Sequence, residues 1–339
     1  MVLYKAIQGG IIMENNYNEE RYDQFIKSLK EPSEFKCIKI VRKRSITTRK
    51  FVEQYNAFVN FLYEYFDPSL LGRFETNDKF VVIKKYLNIT NKSTTGEFFS
   101  NRNVIKLYGK KAIYHELFHM ASALITAKER GNVYLGYQCG GHGNGINEGY
   151  TELLARRYFT SGNAYPRLVS VVARLEYIIG KDLMEPMYFT TGLKGLCIEM
   201  SKYLNSNDLG EIVDFIDNTD HLDSSRYDFN YLEFNRYLLY AYDFLFILYY
   251  NKLIKQVGSE EISIEEAINM YDVFKTSIYK DISDIGIVDG KYSKEEQDSF
   301  WSKPKTVLYD FMPAVESIFE HYNSKLIELR EQIKTRSLS

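Results

Sequence analysis

Apolar positions follow a helical period over most of the chain, and short strand-like runs occur only before residue 110. Phe51, Tyr55, Phe58, Leu62 and Tyr65 repeat at i, i+4, i+7, i+11 and i+14, the spacing of one buried helix face. Thr47 or Thr48 opens this helix. Asp67-Pro68 stops it, because the residue before a proline is pushed out of the helical region. Ahead of it, a polar helix is expected over 18–30 and a short strand over 37–41. Two more strands are expected over 80–87 and 103–108, separated by a polar, turn-rich stretch at 88–101. Beyond 145 nearly everything reads as helix. Leu168, Val172, Leu175 and Ile179 make one stripe, and 231–255 is a long apolar helix stopped near Gly258. A charged terminal helix is expected over 313–334. Ser263 with Glu266, and Ser293 with Glu296, have the spacing of capping boxes, in which each partner satisfies an N–H that the helix start leaves open.

Composition bounds the class. A chain of 339 residues can bury a sizeable core as one large domain or two smaller ones. Hydrophobic residues at 45% and charged residues at 26% exclude a disordered chain. The 29 tyrosines and 22 phenylalanines, set against 6 prolines, favour long helices packed through large rings. A net charge of −2 gives no general attraction to nucleic acid or to an anionic membrane. The run 36–50 does carry seven basic residues, including Arg42-Lys43-Arg44. No aromatic stacking pattern accompanies it, so a solvated strand end is expected and no nucleic-acid partner. The most apolar stretch, 237–250, contains Asp243 and falls short of the ~20 residues a membrane span needs. Cys37, Cys139 and Cys197 form no CxxC pair, and 1–13 lacks the build of a signal peptide. Reduced thiols and a cytoplasmic location are therefore expected, with no membrane partner.

One segment changes the picture from structure to chemistry. His115-Glu116-Leu117-Phe118-His119 spells HExxH, and 28 residues after His119 begins Asn147-Glu148-Gly149-Tyr150-Thr151-Glu152. Histidines four apart project from one side of a helix, so both can hold one metal ion. Glu116 flanks that face, where it can take a proton from water activated by the metal. Ile113, Leu117, Met120 and Leu124 fall on the other side, leaving the imidazoles free to face a cleft. Glu148 and Glu152 also share a helix face, and two carboxylates one turn apart repel unless positive charge lies between them. A divalent ion and a ligating imidazole meet that need. Glu148 is the expected third ligand, with Glu152 accepting the outer N–H of a ligating histidine. Ordinary core histidines and two solvated glutamates are the bland alternative, which this combined spacing disfavours.

HExxH followed by NExxxE resembles the gluzincin metallopeptidases, the group that contains thermolysin and the zinc aminopeptidases. The likeness covers about 103–159, and Asn147-Glu148-Gly149-Tyr150 is similar to the NEGF-type segment of the aminopeptidases. It implies Zn2+ held by His115, His119 and Glu148, Glu116 as general base, Glu152 behind a ligand, and a peptide or protein substrate. It implies hydrolysis of peptide bonds through a zinc-activated water. The interval from His119 to Glu148 is longer than in those two members, and no exopeptidase signature precedes the zinc helix, so end-preference stays open. The gluzincin pattern also leads one to expect a donor for the oxyanion, from His221, His142 or a tyrosine such as Tyr227.

The expected architecture is α+β and predominantly helical, a zincin-like fold with a small N-terminal sheet and a helical C-terminal lobe. Residues 1–145 would form the lobe carrying HExxH, and 146–339 the lobe supplying the third ligand across a cleft. The glycine-rich loop 131–145 between them permits close backbone approach but lacks the dinucleotide fingerprint. An alternative function keeps the same site as a zinc-dependent binding or regulatory module with little turnover.

Overall fold

The computed structural model describes residues 19–337 except 38, 41, 87–94, 110, 126–132, 161–163, 205, 225–230 and 289–303. For 19–23, 206–207, 220–224, 231–236, 283–288, 304–311 and 336–337 it describes the backbone alone. The chain divides into two compact units, one covering Asp23–Glu199 and the other Met200–Ser339 with Met1–Tyr22.

The first unit holds a small mixed sheet and the helices around it. Its strands are β1 (Ser45–Ile46), β2 (Val82–Lys85), β3 (Gly96–Phe99) and β4 (Val104–Leu107), in spatial order β1-β2-β4-β3. β1, β2 and β4 run parallel, and β3 joins β4 antiparallel with Gly96 opposite Leu107 and Phe99 opposite Val104. β2 and β4 therefore match the expected 80–87 and 103–108. β3 does not: it lies within the stretch read as turn-rich. Its four residues become a strand because β4 offers them a ladder, a tertiary cause with little local signature. β4 is paired on both sides, and β1 and β3 are the edges of the sheet. The first strand also falls at 45–46, within the basic run, and not at 37–41, of which residues 38 and 41 are outside the described set.

Helix α1 (Glu19–Ser28) lies within the expected 18–30. Helix α2 (Arg49–Tyr65) starts where Thr48 accepts a hydrogen bond from the Phe51 N–H at 3.3 Å. Phe51, Tyr55, Phe58 and Leu62 are buried as their period requires, while Tyr65 at the last turn is 59% exposed. After α3 (Gly72–Asp78) and β4 comes α4 (Ile113–Ser122), the HExxH helix. Ile113, Leu117, Phe118 and Met120 are fully buried, and the Phe118 ring meets Phe58 edge-on at 5.0 Å. The other face is buried too, so α4 is a core helix on all sides rather than a two-faced one. Its terminal carbonyls, left open by the helix, are taken up by α3. Asn77 Nδ2 donates to Met120 O at 2.7 Å and Ala123 O at 2.8 Å, and Arg73 Nη1 donates to Ser122 O at 3.1 Å.

A two-stranded ribbon, β5 (Tyr134–Leu135) with β6 (Gln138–Cys139), leads to α5 (Asn144–Tyr158), which carries Glu148 and Glu152. Helices α6 (Pro166–Ile179) and α7 (Lys181–Phe189) follow, then α8 (Gly192–Met200) at the edge of the unit. α5 packs on both α4 and α6. That packing moves the division of the chain to 199/200 from the expected 145/146: the helix with the third ligand belongs to the same unit as HExxH. Ion pairs reinforce it. Arg157 on α5 donates to Glu176 on α6 at 2.9 Å and to Glu185 on α7 at 2.7 Å.

The second unit is helical among its described residues, with α9 (Ser206–Ser224), α10 (Tyr231–Gly258), α11 (Ile264–Val288) and α12 (Pro304–Ser337). α10 packs against the other three through residues such as Leu245, Phe246, Tyr249, Phe274 and Phe319. The Ser263–Glu266 capping box forms, the Ser263 N–H donating at 2.8 Å and the Glu266 N–H at 3.1 Å. Ser293 and Glu296 lie outside the described residues. The terminal helix begins at Pro304 and runs through Pro313, earlier than its charge pattern suggests. Among the described residues no helix is long and apolar enough to cross a membrane.

Candidate metal centre

At about 100° per residue, Asn147, Glu148, Thr151 and Glu152 occupy one side of α5. That side faces α4. His115 Nε2 lies 3.1 Å from Glu148 Oε2, and His119 Nε2 lies 3.3 Å from Glu148 Oε1. The two Nε2 atoms are 3.0 Å apart. His115, His119 and Glu148 thus each offer a ligand atom within 4.8 Å of the others, a group that could hold a metal ion. Two imidazoles and a carboxylate form a donor set suited to a borderline divalent cation. His115 and His119 are 6% and 4% exposed, so an ion held there is screened from bulk water on the helix side.

The outer nitrogens are also engaged. His115 Nδ1 is 3.1 Å from Glu152 Oε2, whose other oxygen accepts from Arg156 Nε at 2.9 Å. His119 Nδ1 faces Thr151 Oγ1 at 3.4 Å and Asn147 Nδ2 at 3.3 Å. Glu152 therefore lies beside the outer nitrogen of His115. Thr151 occupies an unspecified position of NExxxE, although its spacing three residues after Glu148 puts it on the same helix face.

Glycines set how close the surrounding backbone can come. Gly136, at φ +52°, has no room for a Cβ, which would collide with Asn147 Oδ1 and the Tyr188 ring. Gly96 on β3 lies against the general-base candidate, where a Cβ would sit 2.7 Å from Glu116 Oε1. Tyr165 flanks the other side: its ring lies near-parallel to His115, 5.8 Å away, with the backbone at φ +51°. A bulky residue in that left-handed region is uncommon.

Charges in this enclosed space shift one another. Burial pulls His115 towards neutrality, but hydrogen bonds donated to Glu148 and Glu152 and the charge of Glu116 outweigh it and push the imidazole up to about 10. Burial lowers His119, against the opposing pull of Glu148. Glu148 is held well below the usual carboxylate range: burial opposes this, but the two histidines overcome it. Burial, reinforced by the Glu148 charge and opposed by His115, pushes Glu116 up to about 8. At pH 7 the metal-free site accordingly carries a proton on His115 and most of one on Glu116. A cation must displace the first and draws down the affinity for the second. Metal uptake at pH 7 should therefore release about one to two protons, and affinity should rise with pH up to about 10, where His115 loses its competing proton. Calorimetric titration in buffers of differing ionisation enthalpy reads that number; zero release would contradict this electrostatic picture.

Of the oxyanion candidates, His142 is half-buried in the glycine-rich loop with its ring edge-on to Phe25 at 5.3 Å, and it is not part of the metal-binding group. The His221 side chain and Tyr227 lie outside the described residues. No family model, no curated protein and no solved structure matches this chain.

Proposed function

We propose that this protein is a zinc-dependent peptidase, with His115, His119 and Glu148 as ligands and Glu116 as general base. One observation carries the reading. Three donor atoms converge, and a further buried carboxylate, Glu116, stands next to them on α4 without belonging to the donor set. A site that only held the fold together would have no use for a spare base there. Zinc bound at these donors would supply a Lewis acid, polarising a carbonyl and acidifying a water. Glu116 takes the proton from the attacking water and returns it to the leaving amine. Burial, which raises its proton affinity, suits it to hold the proton between the two steps. Glu152, itself tied by Arg156, accepts the Nδ1 proton of His115 and keeps that ring turned towards the ligand position.

The sheet supports peptide as the substrate class. β3 is an edge strand, and among the described residues no strand pairs with its outer side. Its first residue, Gly96, touches Glu116, so an extended chain added along that edge passes the reacting groups. The three cysteines are free, with Cys139 and Cys197 buried, which fits the cytoplasm as the working compartment.

Metal analysis of the purified protein and digestion of a peptide library with and without chelator test the proposal. Bound zinc and chelator-sensitive cleavage are expected. Cleavage untouched by chelator would overturn it. Tight zinc binding with no cleaved peptide would instead favour a zinc-dependent binding module.

A further inference from the structure

We propose that Tyr188 is a positioning residue for His119, acting through Thr151 along a buried run of hydroxyls. The inference rests on the metal-site reading above and adds residues to it that neither motif specifies. If His119 ligates through Nε2, the atom it turns towards Glu148, its proton must sit on Nδ1. A buried N–H without an acceptor is costly, so that proton needs one. Two groups face it, Asn147 Nδ2 and Thr151 Oγ1. The Asn147 carbonyl oxygen already accepts from the Tyr137 N–H at 3.1 Å, which leaves its NH2, a donor only, towards His119. The hydroxyl of Thr151 is the remaining acceptor.

The directions of the next bonds then follow. Thr151, having accepted from His119, has its own proton to give, and Tyr188 Oη is 2.7 Å away. Ser122, next to Tyr188, donates to Phe118 O at 3.1 Å. The run starts at His119 on α4, crosses to Thr151 on α5 and ends at Tyr188 on α7. Thr151, Tyr188 and Ser122 are each fully buried. The two histidines are thereby served differently: a carboxylate orients His115 and neutral hydroxyls orient His119.

Affinity for zinc, measured by competition against a chromophoric chelator, is the readout, with thermal unfolding of the metal-free protein alongside. Thr151→Val keeps the shape and removes the acceptor, and should weaken zinc binding about 10- to 100-fold. Tyr188→Phe should weaken it by up to about tenfold. Thr151→Ser should restore parental affinity, which a packing role for the threonine methyl would not allow. The double variant Thr151→Val with Tyr188→Phe should be no weaker than Thr151→Val alone, since both interrupt one run. Parental affinity in both single variants, or losses that simply add, would overturn the proposal. A parental protein that takes up no zinc would instead remove the metal reading on which it stands.

Discussion

Replacing Glu116 by glutamine should lower kcat by roughly 10²- to 10⁴-fold, the usual contribution of a positioned general base, while zinc content stays unchanged. Glutamine keeps the shape and the hydrogen-bonding size of the side chain but cannot take a proton. Zinc should stay because the ligand atoms come from His115, His119 and Glu148, with Glu116 outside the set. The pH profile carries the same information. Burial pushes Glu116 up to about 8 in the metal-free site, and a nearby dication lowers that value. Since the base form is the active one, kcat/KM should rise with pH through the metal-loaded value, and the inflection should lie below about 8. Peptide turnover and metal analysis on the same preparations check both. Undiminished turnover in Glu116→Gln would sink the assigned mechanism, and loss of zinc from that variant would place Glu116 among the ligands.

Much of the site is legible in the sequence because helical geometry is local. Four-residue spacing is enough to put His115 beside His119, and Glu148 beside Glu152, whatever the tertiary fold. What spacing cannot supply is which helix a face looks at. Glu152 opposes His115, and Thr151 opposes His119, only because α5 lies across α4 at one particular angle. Tyr188 is harder still to find, since it reaches the site from a third helix and is one tyrosine among 29. The same division holds for the fold. Thr48 caps α2 and Ser263 caps α11 through contacts within four residues, and both are readable locally. β3 is made by pairing with β4, and its Gly96 and Glu97 carry no strand propensity of their own. The boundary between units is hidden for a related reason. A glycine-rich loop resembles a linker, yet Gly136 and Gly143 are there to let the loop pack tightly against Asn147, Tyr188 and Tyr137.

That packing makes α5 the keystone of the site, and Arg157 holds its far end. Arg157→Met should destabilise the protein by about 3–5 kcal/mol, the range for removing one partner of a buried ion group. The guanidinium side chain is 26% exposed and its two carboxylates, Glu176 and Glu185, only 6% and 9%. Attraction to these carboxylates outweighs the burial of the guanidinium and raises its proton affinity further, so it stays charged at every accessible pH. Removing it leaves two carboxylates facing one another with little water to screen them. Tyr158 still donates to Glu185 at 2.6 Å and Lys181 Nζ stays 3.9 Å from it, but neither reaches Glu176. Adding Glu176→Gln and Glu185→Gln to Arg157→Met should recover a large part of the loss, because the penalty comes from stranded charge more than from lost contact. Urea unfolding of the metal-free variants measures both steps. A loss under about 1 kcal/mol for Arg157→Met, the range of a surface pair, would show the cluster to be solvated. If the loss is large, zinc affinity should fall with it, since α5 carries Glu148 and Glu152 on the helix that Arg157 anchors to α6 and α7.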